Sequence, residues 1–440
     1  MKCEEVRDEM IAYLKGELDE ERKKEVDEHL ARCKGCQQEL EMSQKVLFQT
    51  QAANESSIVE MADSIIQDAI NANASDIHID PTDEGTDVRY RVDGVLHCVK
   101  QLPAETCDAL VARFKIMDGI PIVKSGMPQD GRSTVRMNGR DYDLRVSIMP
   151  FIRGEKVVVR ILDKRTPLLG LDKLGFLPEQ LELVKSLLHQ PNGEIIIAGP
   201  TGSGKTTTLY SMLLDIKNPA INIMAIEDPV EFTLSGIQQA QVYSKTGLTF
   251  AAAIRAFLRQ DPDIIMVGEI RDMETALLAA HASMTGHLVL SALNERDAVS
   301  VPKRMIHLGL EPWLVGTSLI GVIAQLLVRE TCRDCREEYT PDNEALEFLG
   351  LKNQVGKVKF YRGAGCEKCK STGVRGRTGI FEVLEIDREL GRMISDRKDA
   401  DAILKCAVQK GFVTMAEVAR RKVLEGITTA EEAYRVFSLR

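Results

Sequence analysis

No stretch of this 440-residue chain approaches the run of about 20 apolar residues that spans a bilayer. The opening Met1-Lys2-Cys3-Glu4-Glu5 has no apolar secretory core, so the expected location is the cytoplasm. Any work at a membrane would then be peripheral, by docking onto another protein. Excess positive charge is also missing: 57 Lys and Arg face 66 Asp and Glu, a net charge of −9. That balance argues against a protein whose whole surface is basic, a local basic channel being the alternative, and no direct nucleic-acid binding is expected. No repeats and no low-complexity segment are visible.

What is present suits two to four ordinary domains, with 44% apolar residues to fill their cores. Residues Gly199-Pro200-Thr201-Gly202-Ser203-Gly204-Lys205-Thr206 form a complete phosphate-binding loop, followed by Thr207. The β-branched run Glu194-Ile195-Ile196-Ile197-Ala198 before it reads as a buried strand, and Thr206 to Leu214 reads as a helix. Strand, glycine loop and helix are the context this pattern needs. Glycines let successive N–H groups point at phosphate, and the helix start adds its positive dipole end. Lys205 can reach the β and γ phosphates, and the Thr206 hydroxyl can ligate Mg2+.

The loop alone indicates a nucleotide, and three further blocks narrow the reading. Ile226-Glu227-Asp228-Pro229-Val230-Glu231 puts three carboxylates at a strand end, where Glu231 or Glu227 can orient or deprotonate a water. Acidic loop clusters usually serve only solvation, so the block gains meaning from its neighbours. Ile264 to Val267 reads as a buried strand with Glu269 beyond it, placed to hold the magnesium shell; Gly268 stands where an aspartate is commoner. Thr285-Gly286-His287 precedes another buried strand, and His287 is a candidate γ-phosphate sensor.

Seven of ten cysteines fall into two groups with ligand-like spacing. Cys332-Arg333-Asp334-Cys335 and Cys366-Glu367-Lys368-Cys369, separated by thirty residues, can complete a tetrahedral Cys₄ shell for Zn2+. A redox pair or free thiols are the alternatives. Near the start, His29 and Cys33 share one helix face, Cys36 follows in a Cys-x-x-Cys pair, and Cys3 can supply a fourth ligand. Unmetallated cysteines on a charged helical hairpin are the alternative there. A segment this short buries little core, so a metal would help it fold. Cys98, Cys107 and Cys406 are scattered and read as ordinary small residues.

Four segments are expected: a helical zinc-binding region 1–42, a connector 43–57, an α+β domain 58–165 with hairpin turns at Asp93-Gly94 and Asn138-Gly139, and a larger α/β domain 166–440. In that last domain strands alternate with helices, the pattern of a mostly parallel sheet, and its final hundred residues read as mainly helical around the cysteine-rich insert.

The blocks above, with Ser75-Asp76-Ile77-His78-Ile79, Arg91-Val92-Asp93-Gly94-Val95-Leu96, Gln129-Asp130-Gly131-Arg132, Arg255 to Asp263 and Arg377-Thr378-Gly379-Ile380-Phe381-Glu382, resemble the secretion ATPase superfamily. The likeness is closest to the type II secretion and type IV pilus assembly ATPases. It implies a RecA-like core preceded by a PAS-like α+β domain, a homohexamer, and ATP held between two domains of one subunit. It also implies an inner-membrane platform protein as partner, and arginines of the first domain that neutralise phosphate charge. Arg132 and Arg145 match such positions, with domain-surface ion pairs as the plainer alternative. The Cys₄ knuckle occurs in assembly-type members and is absent from the retraction type. Residues 1–42 resemble the small anti-sigma-type zinc domain and stand where assembly ATPases usually carry a larger docking domain, so a different, unknown partner is expected there.

Two positions depart from the family pattern. Asn294 replaces a histidine in Ala292-Leu293-Asn294-Glu295-Arg296, and Leu326 replaces an arginine in Gln325-Leu326-Leu327-Val328-Arg329. Slow but measurable hydrolysis is the expectation. A nucleotide-binding scaffold with reduced hydrolysis, acting through its N-terminal zinc module, is the alternative. A DNA-transfer ATPase of the same superfamily is disfavoured by the knuckle and the acidic balance.

Overall fold

In the computed structural model of the chain, residues 3, 5, 6, 9, 10, 13, 18–37, 39–40, 55–122, 126–163, 169–243, 246–354 and 356–438 are described. They fall into two compact units, residues 1–166 and 167–440. Of the expected connector, 43–54 lies outside the described residues, and residues 55–57 instead open the helix Glu55–Asn71. No helix among the described residues is long and apolar enough to cross a membrane.

At the start of the first unit, the helix Glu20–Leu30 is capped by Asp19, whose carboxylate accepts the Arg22 N–H at 2.8 Å. Among the described residues there, Val6, Met10, Val26, Leu30 and Cys36 form the buried apolar set. The rest of the unit is a six-stranded antiparallel sheet: β1 (Ala74–Pro81), β2 (Thr86–Val92), β3 (Val95–Leu102), β4 (Gln129–Met137), β5 (Arg140–Phe151) and β6 (Gly154–Asp163), in the order β3-β2-β1-β6-β5-β4. Both expected hairpins form, with Asp93 and Asn138 at positive φ beside their glycines, the geometry a two-residue turn demands. One face buries Ile77, Ile79, Leu144 and Val159 with Ile65 and Phe114 of the helices Glu55–Asn71 and Glu105–Met117.

The second unit is built on seven strands. β7 (Gly193–Ala198), β8 (Ile223–Glu227), β9 (Gln238–Gln241), β10 (Ile264–Val267), β11 (Leu288–Leu293) and β12 (Leu319–Thr331) are joined by β15 (Val374–Glu385), in the order β15-β12-β7-β11-β10-β8-β9. All neighbours are parallel except β12 and β15. Alternate residues of the central strands enter opposite cores: Ile196, Ile265 and Val289 pack into one, Ile195, Ile197, Met266 and Leu290 into the other. Burial on both faces explains why these strands read as unbroken apolar runs. A small pair, β13 (Arg336–Tyr339) and β14 (Phe360–Gly363), carries the cysteine-rich insert.

The long β12–β15 hairpin is the element the sequence reading lacked. Val374 to Gly379 contains two glycines and two arginines, so only the apolar end of β15 stands out. Pairing with β12 from Gly321–Glu385 to Thr331–Val374 makes the strand despite this composition.

Glu194 lies fully buried in β7, and neither carboxyl oxygen meets a hydrogen-bond partner among the described residues. Burial pushes its carboxyl up to about 8, with the nearby Ser318 hydroxyl opposing. The folded state therefore holds a proton that the unfolded chain releases above its ordinary carboxyl range, and this contribution to stability falls as pH rises toward 8. Glu194→Gln should remove that slope. In thermal melts the variant should gain a few degrees over wild type at pH 8 and less at pH 5.

Candidate nucleotide and metal sites

The phosphate loop leaves β7 and enters the helix Lys205–Ile216 through Gly204, whose φ of 89° a side chain would resist. Gly199 is fixed by crowding: a Cβ there would stand 2.7 Å from the Gln325 carbonyl oxygen and 2.4 Å from Ser203 Oγ. β11 lies beside β7 in register, Leu293 opposite Ala198, and the Gly199 N–H donates to Leu293 O at 3.3 Å. The next residue, Asn294, thereby reaches the loop. Lys205 Nζ donates to Gly199 O at 2.7 Å, Pro200 O at 3.0 Å and Asn294 Oδ1 at 2.8 Å. Burial lowers the Lys205 pKa, and the charge of Glu269 opposes that.

Gln325 fastens the loop from the other side. Its Nε2 donates to Ser203 O at 2.6 Å, and its Oε1 accepts from Thr208 Oγ1 at 2.7 Å. The sequence reading missed it, although a buried glutamine in an apolar strand is itself a signal. Leu326, the residue beside it, is buried in the apolar core, where an unpaired guanidinium would be costly.

The acidic blocks separate into different roles. Glu269, just past β10, pairs with Arg271, which also reaches Asp228 Oδ2 at 3.1 Å. Glu227 is 3% exposed, and both its oxygens are engaged: Oε2 by Tyr210 Oη at 2.5 Å and Oε1 by Gln239 Nε2 at 2.9 Å. Burial raises its pKa, and those two hydrogen bonds pull the other way. Glu231 lies in the loop beyond and is only half-buried. Thr206 and Thr207 are exposed at the helix start.

His287 is misplaced by the sequence reading. It precedes β11, beside Gly193, so it lies at the opposite end of the sheet from its own chain's loop. Its Nδ1 is 2.9 Å from Ala282 O, at the end of the helix Met273–Met284. The side chain that β11 brings to Lys205 is Asn294.

In the first unit, one row of residues crosses the sheet: Arg132 pairs with Arg145, Arg145 with Arg160, Arg160 with Asp76, and Asp76 with Arg91. Directly opposite residues share a face. Asp76 meets Arg160 at 3.1 Å and Arg91 at 3.7 Å. Arg132, Arg145, Arg160 and Asp76 line a cavity of about 440 Å³. Arg160 was not singled out in the sequence.

Both cysteine groups assemble. In each, the four ligand atoms lie within 4.8 Å of one another. In the C-terminal cluster, Sγ separations are 3.9 Å (Cys332–Cys366), 3.8 Å (Cys335–Cys369) and 3.7 Å (Cys366–Cys369). A tetrahedron of thiolates at the Zn–S distance of about 2.3 Å has edges of roughly 3.8 Å, so the cluster fits a four-coordinate ion. Backbone N–H groups of Gly365, Cys366 and Gly373 point at Cys335 or Cys369 sulfur and support thiolate charge. In the N-terminal group, Cys3 and Cys33 Sγ are 3.7 Å apart.

A family model described as "Type II/IV secretion system protein" matches residues 51–435, and a zinc-finger model matches residues 3–37. The type IV pilus assembly ATPase PilB of Thermus thermophilus is 44% identical over 86% of this chain, which spans 43% of that relative. The type II secretion system protein E of Pseudomonas aeruginosa is 43% identical over 86% of this chain and 75% of its own length. Among solved structures, the pilus retraction motor PilT with bound ADP matches at TM-score 0.58 and 26% identity, covering 84% of this chain and 95% of that one. The Legionella pneumophila ATPase DotB matches at TM-score 0.64 and 21% identity over 87% and 96%, a likeness of fold.

Gln325→Ala removes both hydrogen bonds that fasten the loop to β12. Titration with a fluorescent ATP analogue should show about tenfold weaker binding, equivalent to roughly 1.4 kcal/mol.

Proposed function

The chain belongs to the type II/IV secretion system protein family, and from that premise we propose an Mg-ATP-driven motor of type II secretion or type IV pilus assembly, powering the assembly of pilins or pseudopilins. The observation that carries this reading is the convergence on Lys205: its ammonium meets Asn294 and lies under the charge of Glu269, at the carboxyl ends of neighbouring strands. Lys205 and the loop amides from Thr201 to Thr207 hold the phosphates, with Gly199 and Pro200 shaping the turn. Thr206 and Glu269 would hold magnesium, which supplies charge neutralisation when bound. Glu231 orients the attacking water, since both Glu227 oxygens are engaged. Arg132 and Arg145 neutralise phosphate charge, and Asn294 takes the sensing role expected of His287.

The second unit is RecA-like. The first is PAS-like, a reading supported by a sheet whose first and last strands lie side by side at its centre. Zinc occupies both cysteine clusters in this proposal. The motor is a homohexamer in the cytoplasm, held peripherally at the inner membrane by a platform protein. Residues 1–42 dock a separate partner. The Cys₄ cluster favours assembly over retraction. A nucleotide-binding scaffold is the second reading, favoured by Asn294 and by the buried Leu326, both of which stand where the family pattern has basic side chains.

Purified protein should hydrolyse ATP slowly, at a rate clearly above that of Lys205→Ala. Equal rates would reject the motor and leave the scaffold. Metal analysis should return two zinc ions per chain in the wild type and one in Cys33→Ser. A wild-type value of one would remove the N-terminal site.

A further inference from the structure

The phosphate-loop helix and the acidic loop after β8 are joined by one buried phenol. Tyr210, 1% exposed, lies in the helix that begins at Lys205. Its Oη donates to Glu227 Oε2 at 2.5 Å and accepts the Glu231 N–H at 3.3 Å. Its ring meets the edge of Phe232, with centroids 6.4 Å apart and planes at 74°. Gln239 closes the arrangement. Its Nε2 donates to Glu227 Oε1 and to Phe232 O, both at 2.9 Å, and its Oε1 accepts the Leu234 N–H at 2.6 Å.

A hydroxyl has one proton to give and two lone pairs to receive with. Tyr210 gives its proton to the buried carboxylate, so a lone pair is left for the Glu231 amide. The height of the Glu231 backbone above the sheet is therefore set by the same helix that carries Lys205 and Thr206. A buried network with every member satisfied is stiff, and a displacement of the helix by phosphate is passed to Glu231 through one side chain.

We propose that Tyr210 is a positioning residue, which holds Glu231 in register with the phosphates by coupling the acidic loop to the phosphate-loop helix. This rests on the reading of Glu231 as the residue that orients water. Misplacement by a fraction of an ångström at such a residue costs turnover while leaving phosphate binding intact.

Tyr210→Phe tests it, since the ring and its packing on Phe232 are kept and only the hydroxyl is lost. The expected result is a kcat about tenfold lower, with Kd for Mg-ATP within twofold of wild type. Amide hydrogen exchange at residues 230–234 should accelerate, while exchange along 205–216 stays at the wild-type rate. Wild-type kcat, or unchanged exchange at 230–234, overturns the inference. Faster exchange throughout the second unit together with weaker nucleotide binding also overturns it, because the hydroxyl then serves general stability. If wild-type protein shows no turnover above Lys205→Ala, the motor reading fails, and the exchange pattern still decides whether Tyr210 couples helix to loop.

Discussion

A lysine ammonium surrounded by protein must find oxygens close by or give up its proton. Lys205 finds three, two from the turn of its own loop and one from Asn294 on the neighbouring strand. Meeting that constraint requires the ends of β7 and β11 to be level, which their register ensures from Gly193 opposite Leu288 to Ala198 opposite Leu293. It also requires the loop to turn sharply at Gly199 and Gly204, where a Cβ would collide or force an unfavourable φ. The parallel sheet and its two apolar cores serve to hold these few atoms in place.

The loop, the strands around it and both cysteine clusters were legible from the sequence because each is a local pattern. A glycine-rich turn between apolar strand and helix, or paired Cys-x-x-Cys, needs no knowledge of the rest of the chain. Gln325, Tyr210 and Arg160 escaped because their roles depend on partners far away in sequence: Ser203 and Thr208 for Gln325, Glu227 for Tyr210, Asp76 for Arg160. His287 failed for a related reason. Its position before an apolar run is clear in the sequence, but which end of the sheet that places it at depends on strand direction. β15 was lost because its polar first half forms a strand only through pairing with β12.

Asn294 and Leu326 now have distinct standing. Leu326 belongs to the core, so its position beside the loop is filled by packing instead of charge. Asn294 touches the lysine, and an amide there keeps the same hydrogen-bonding pattern at any pH, whereas an imidazole would change its donors with protonation. The contact that Asn294 makes to Lys205 is therefore one that pH leaves unchanged.

β12 also has a mechanical side. The strand that carries Gln325 continues to Thr331 and hands the chain directly to Cys332. Seven residues of extended chain cover roughly 23 Å. The cysteine cluster thus terminates a short, stiff cable whose far point is tied to the phosphate loop. Loss of one thiolate would free only the Cys332 end of that cable, because its ladders to β7 and β15 keep Gln325, and with it Ser203 and Thr208, in place.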